Sequence, residues 1–117
     1  NRSNTPQQAL VLLNDPTFVE AARVLAERSH SEASDAQGIG QLWQSVLARS
    51  PRPEELEVAS ALLESERARF AADADAVSAL LSVGAQPLPE EIAPDELAAW
   101  TQLARLVFNL HETVTRS

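Results

Sequence analysis

The 117-residue chain contains no cysteine and no methionine, its basic residues include no lysine, and aromatics make up only 4% of it. The absence of cysteine excludes disulfides, thiolate metal sites, a cysteine nucleophile and haem attachment through C-x-x-C-H, and it leaves the redox compartment open. All 9 basic residues are arginine, and 17 acidic residues outnumber them to give a formal net charge of −8. Such a surface repels phosphate backbones and anionic lipid, so no nucleic-acid partner and no membrane-surface role is expected. The longest apolar run, Ala9 to Leu13, is too short to span a bilayer, and no charged-then-apolar leader opens the chain. With no initiator methionine, the chain reads as a piece of a longer protein. Residues 1–117 are expected to form a single helical domain, long enough to remove about two thirds of its unfolded surface from water.

Proline supplies much of the punctuation that is present. Thr5-Pro6-Gln7-Gln8 has the form of a capping box, with a hydroxyl at the N-cap, Pro at the first helical position and Gln8 reaching back to the Thr5 amide. The Ala9–Leu13 run that follows is apolar on every side, so it is either a helix enclosed all round or a short buried strand. The cap favours the helix, and nothing downstream offers a strand to pair with. Asn14 can close that element and Asp15 can cap the next, which starts with Pro16 and runs to about His30. On it Phe18, Ala22, Leu25 and Ala26 share one side, and Glu20, Arg23, Glu27 and Arg28 fall elsewhere.

Residues 29–38 read as a polar connector, with Ser34 or Asp35 capping a helix whose Ile39, Leu42, Trp43, Val46 and Leu47 follow the i, i+3, i+4, i+7, i+8 template. Gly38 and Gly40 weaken its first turn by up to about 1 kcal/mol each relative to Ala. Pro53 begins a long helix to about Ala72, with Glu54 and Glu55 in the first turn, where the helix dipole favours negative charge. Leu56, Ala59, Leu63 and Phe70 form its inward face; Glu64, Glu66, Arg67 and Arg69 read as a charge-mixed exterior. A short helix from about Asp75 to Val83 ends at Gly84, and residues 85–94, which hold three of the prolines, form a connector. The last helix, from about Pro94 to Thr115, puts Leu97, Trp100, Ala104, Val107, His111 and Val114 on one seam, as a central bundle helix would. No stretch alternates like a strand and no internal repeat appears. The predicted fold class is all-α, a compact bundle of five or six helices with short, Pro-started connections.

Candidate chemistry is sparse, and each candidate has a structural role that explains it. Asp73-Ala74-Asp75 resembles the start of a calcium loop, but Val77 and Ser78 stand where an oxygen ligand and a glycine are needed, so capping of the following helix is the better account. Glu90-Glu91 and Asp95-Glu96 read as connector and first-turn acids. His30 is expected on the surface and His111 packed in the seam, bonded to a carbonyl. Trp43 and Trp100 fit core faces better than a sugar-stacking platform. Arg105, Asn109, Glu112 and Arg116 make a polar stripe on the last helix that is either a solvated face or an interface. There is no nucleophile elbow, P-loop, dinucleotide fingerprint or zinc spacing. No catalytic, cofactor-binding or metal residue is therefore assigned and no cofactor is expected. The isolated domain reads as non-enzymatic, and the candidate interface is Arg105, Asn109, His111, Glu112 and Arg116.

Three phrases, "RSNTPQQALVLLNDPTFVEAARVLAER", "RPEELEVASALLESERARF" and "DELAAWTQLARLVFNLHE", together resemble the C-terminal segment of a family of planctomycete secreted proteins, domain of unknown function 1553. Members of that family commonly carry a c-type cytochrome domain nearer the N-terminus. The resemblance implies an extracytoplasmic home and a parent several times longer, and it implies no activity. Two departures stand out. His111 occupies a place where Asn is typical, which weakens any reading of it as a shared ligand or catalyst. Arg52 stands where a capping Thr is common, which should weaken the start of the fourth helix by about 1 kcal/mol. The expected function is a helical structural and interaction module whose partners are upstream domains of the parent or another protein. The alternatives are a share in a composite enzyme or electron-transfer site and, from the two tryptophans, glycan binding.

Overall fold

The computed structural model describes the backbone of residues 16–30, 34–82 and 89–116 and the side chains of residues 17–30, 34–82 and 89–111. Among these residues there are five helices and no strand: α1 (Pro16–Ser29), α2 (Asp35–Leu47), α3 (Pro53–Ala71), α4 (Ala74–Leu81) and α5 (Pro94–Arg116). The expected all-α bundle is what forms. The Thr5 capping box, the Ala9–Leu13 element, Gly84 and residues 85–88 of the 85–94 connector lie outside the described residues.

Each described helix starts as its local chemistry dictates. Pro16, Pro53 and Pro94 each take the first helical position, where a missing N–H costs nothing. Ser34 caps α2 by accepting from the Gln37 amide at 3.3 Å, and Asp73 caps α4 by accepting from the Ala76 amide at 3.0 Å, the role expected for it. At Arg52 the side chain makes no cap bond, and Glu55 serves the helix start instead. Its carboxylate accepts from the Arg52 amide at 2.8 Å while Arg49 grips it with two N–H groups at 2.8 and 2.9 Å. α2 ends on Ala48 in the left-handed conformation, φ 60°, its N–H returning to the Gln44 carbonyl.

α5 is the centre of the bundle and packs against each of the other four helices. Leu97, Ala98, Ala99, Trp100, Thr101, Leu103, Ala104 and Val107 are all buried, so the helix is enclosed on every side from Leu97 to Thr101. Thr101 survives there because its hydroxyl donates to the Leu97 carbonyl at 2.7 Å. Past Val107 the enclosure opens: Phe108, Asn109 and Leu110 are half-buried and His111 is exposed. The expected packed position of His111 is therefore corrected: the side chain is exposed, at a groove that α5 forms with α1 and α2. Around α5 the core gathers Ala22 and Ala26 from α1, Ile39, Leu42 and Trp43 from α2, Ala59, Leu63 and Phe70 from α3, and Val77 and Leu81 from α4.

Gly38 has a role that helix propensity does not convey. A Cβ there would lie 2.6 Å from Trp100 Cη2 and 2.8 Å from the Ser29 carbonyl oxygen, so its bare backbone lets α2 approach α5 and the end of α1. Gly40 meets nothing within 4 Å. Among the described residues no helix is long and apolar enough to cross a membrane.

Candidate functional site

The most concentrated chemistry among the described residues is a charge cluster where four helix ends meet. Arg67 stands on α3 four residues after Leu63 and three before Phe70, within the inward face, and its side chain is 26% exposed. Its Nη1 and Nη2 donate to the two carboxylate oxygens of Asp35 on α2 at 2.8 and 2.9 Å. Nε and Nη2 donate to the two oxygens of Glu96 on α5, Nε at 2.9 Å. Nη1 also reaches Glu64 Oε2 at 3.1 Å. All five guanidinium N–H groups are thereby used, on three carboxylates from three helices.

Glu96 joins the fourth helix to the cluster. Its Oε2 also accepts from Trp100 Nε1 at 2.9 Å and lies 3.6 Å from His30 Nε2, beyond hydrogen-bond range. The His30 ring stands edge-on to Trp100 with centroids 5.6 Å apart, and its backbone N–H extends α1 by bonding the Ala26 carbonyl. His30, expected on the surface, has a side chain only 14% exposed. The charge-mixed exterior expected for Glu64, Glu66, Arg67 and Arg69 is likewise corrected at Arg67 and at Glu66, whose side chain is 13% exposed. On α1, Arg23, which falls off the apolar side of the sequence pattern, is 1% exposed and pairs with Glu27 at 3.0 Å.

The electrostatics of the cluster favour holding charge over moving protons. The Arg67 guanidinium, through its hydrogen bonds, keeps the carboxyls of Asp35 and Glu96 below their ordinary range against the opposing effect of burial. The same bonds, to Asp35 first and then Glu96, push Arg67 further up. An acid whose pKa is lowered and a base whose pKa is raised are poor proton-transfer groups at neutral pH. Among the described residues no three His, Asp or Glu side chains are placed to hold a metal ion; the space between these carboxylates is filled by the guanidinium. The cluster can bind helices to one another.

The candidate interface residues fall on two different grooves. Arg105 and Asn109 line a depression of about 320 Å³ between α3 and α5, together with Leu62, Glu66, Arg69 and Leu106. A polar chain crosses it: Arg105 donates to Gln102 Oε1 at 2.8 Å, Gln102 donates to Glu66 at 3.3 Å, and Arg69 donates to the same Glu66 oxygen at 2.6 Å. Burial pushes the pKa of Arg105 down, although a guanidinium remains protonated. His111 instead lines a larger groove between α1, α2 and α5. Glu112 and Arg116 belong to α5, but their side chains lie outside the described residues.

The tryptophan basis for glycan binding does not hold. Trp43 and Trp100 are 1% and 0% exposed, so neither ring offers a face to a sugar. Trp43 Nε1 is buried without a hydrogen-bond acceptor among the described residues, beside a cavity of about 230 Å³ lined by Val58, Leu106 and Leu110. Sequence reasoning missed the Arg67 cluster because its members are 29 and 32 residues apart. A signal was present nonetheless, since Leu56, Ala59, Leu63 and Phe70 leave an inward position at 67 occupied by arginine.

Residues 1–63 match the model of the family PSD1, proteins of unknown function DUF1553. No curated protein and no solved structure matches the chain. The family match takes in the segment that holds the "NTPQQALVLLNDPTF" phrase, α1, α2 and the first half of α3, more than half of the sequence. The chain is a member of the DUF1553 family.

Proposed function

We propose that the chain is a helical packing module that completes a larger extracytoplasmic protein of this family, one associated with a c-type cytochrome domain, and that it works by contact with its parent's upstream region. The observation that carries the reading is the saturation of the Arg67 cluster. Among the described residues, the cluster that joins charged groups from three helices has every guanidinium donor engaged within the fold, which fits a lock better than a reaction centre. The outward face of the reading is the Arg105–Asn109 groove, whose half-buried guanidinium and flanking Leu62 and Leu106 combine charge with apolar surface, as interface cores do. Glu112 and Arg116 would continue the proposed contact along the last turns of α5, and His111 would join it only from the separate α1/α2/α5 groove.

The test is to produce the chain and its parent's upstream region separately and titrate one with the other in a calorimeter. Association that Arg105→Glu weakens supports the module. No association, together with a parent truncated before Asn1 that keeps its full stability, refutes it.

A second reading gives this chain a share in a composite enzyme or electron-transfer site, through Asn109 or His111. It is favoured only by the polar chain in the α3/α5 groove, and because Asn109 and His111 open onto separate grooves such a site would use one of them. Asn109→Ala with Glu112→Ala in the full parent protein tests it; unchanged redox or polysaccharide-directed activity removes it.

A further inference from the structure

We propose, resting on the docking of this chain with its parent's upstream region, that the groove between α3 and α5 seats an amphipathic helix of that region, acidic at one end and basic at the other. The depression of about 320 Å³ that holds Arg105 and the cavity of about 230 Å³ beside Trp43 share the side chain of Leu106, so they are two stretches of one groove. Its α3 wall is Glu54, Val58, Leu62, Glu66 and Arg69, which lie at i, i+4, i+8, i+12 and i+15. Its α5 wall is Gln102, Arg105, Leu106, Asn109 and Leu110, at i, i+3, i+4, i+7 and i+8. Each wall is thus one stripe of its helix. The two run antiparallel, since Glu54 and Val58 stand with Leu110, and Glu66 and Arg69 with Gln102. At about 1.5 Å per residue, the groove is about 22 Å long from position 54 to position 69, room for about four turns of a third helix.

Three properties select this occupant. The first is open apolar surface. Val58, 60% exposed, is the one large hydrophobic side chain left to solvent among the described residues, and the groove sets it with the half-buried Leu62, Leu106 and Leu110. The second is the backbone. Both walls are helices whose amides and carbonyls bond within themselves, so an extended peptide laid here finds no main-chain partner. A helix brings its own backbone bonds and presents apolar side chains at i, i+3, i+4 and i+7. The third is charge. At one end Glu54 lines the groove beside Glu55, whose charge Arg49 matches, and at the other Arg69 and Arg105 flank Glu66. The groove is therefore negative where α3 starts and positive where α3 ends. A helix with acids in its first turn and bases in its last, the arrangement its own dipole favours, fits with its N-terminus over Arg69 and Arg105 and its C-terminus over Glu54. A second copy of the chain, with a net charge of −8, is repelled.

The test titrates the parent's upstream region in a calorimeter with the 117-residue chain and with its Val58→Ser, Glu54→Lys and Arg105→Glu variants. Val58 and Glu54 are exposed, so their replacement leaves the core intact, and Asp75→Lys on α4 makes the same charge change as Glu54→Lys away from the groove. Each of the three groove variants is expected to raise Kd by about fivefold or more, and Asp75→Lys to leave it unchanged. Weakening by Arg105→Glu alone overturns the helix seat while the packing module stands, and no association overturns both. Hydrogen exchange reads the occupant's shape. A continuous run of about 15 residues in the upstream region, apolar at three- and four-residue spacing, should gain protection on binding. A protected run that alternates apolar and polar residues overturns the proposal. Self-association of the chain alone that Val58→Ser abolishes gives the groove to a second copy and overturns it as well.

Discussion

We predict that Gly38→Ala destabilises the fold and Gly40→Ala stabilises it, although both sit in the first two turns of α2. Intrinsic helix propensity favours Ala over Gly by about 1 kcal/mol at either position. At Gly40 nothing lies within 4 Å of the new methyl, so about 0.5–1 kcal/mol of gain is expected. At Gly38 the methyl would sit 2.6 Å from the Trp100 ring and 2.8 Å from the Ser29 backbone oxygen. Neither obstacle is the end of a flexible chain. The indole is buried and held by its bond to Glu96, and the Ser29 carbonyl belongs to the last turn of α1. Overpacking of this kind costs about 1–3 kcal/mol, and with both neighbours rigid the upper end applies, leaving a net loss of about 2 kcal/mol after the propensity gain. Urea unfolding followed by far-UV circular dichroism should therefore show the midpoint falling by about 1 M or more for Gly38→Ala and rising slightly for Gly40→Ala, given a slope of about 1–2 kcal/mol/M. Equal shifts of the same sign would refute the close approach of α2 to α5.

Three further outcomes are expected. Ala48→Gly should raise stability by about 0.5–1 kcal/mol in thermal unfolding, because a residue at φ 60° closes α2 and only glycine takes that conformation without steric cost. Leu63→Ala should cost about 2–5 kcal/mol, since the side chain is fully enclosed in the core and its removal leaves a cavity. The fold should weaken as pH falls. Glu55, held at about 2 mainly by Arg49 and then by the Arg52 amide, contributes stability that is present above the ordinary carboxylate range and lost as it takes a proton on the way down to about 2. Asp35 and Glu96, lowered by Arg67, act in the same direction, and Glu55→Gln should flatten the acid limb of a stability–pH profile.

The parts of the fold legible in the sequence are those set by local chemistry. Pro16, Pro53 and Pro94 start helices because proline needs no amide partner there, Asp73 caps because its carboxylate reaches the third amide, and the seams of α2 and α5 face inward because their periodicity leaves no alternative. What escaped is set by which helices meet. Gly38 reads as a weak helix residue until Trp100 is placed over it, and Arg67 reads as exterior until Asp35 and Glu96 are brought to it from two other helices. The exchange of expected places between His30 and His111 has the same origin. His30 is largely enclosed because α5 begins beside the end of α1, and His111 is exposed because α1 and α2 leave an open groove beside it. The candidate interface on α5 was visible as a stripe, but its division between two grooves depends on where α1 and α3 lie against that helix.

In the proposed module the Arg67 cluster is a lock between helices, and a double-mutant cycle measures that directly. Arg67→Met, Glu96→Gln and the double variant are unfolded in urea alongside the parent chain. Two charge-assisted bonds join this pair, so a coupling energy of about 1–3 kcal/mol is predicted, each single variant losing more than the second change adds to the first. Strictly additive losses, with a coupling below about 0.3 kcal/mol, would contradict it and return Arg67 to the role of a solvated surface residue.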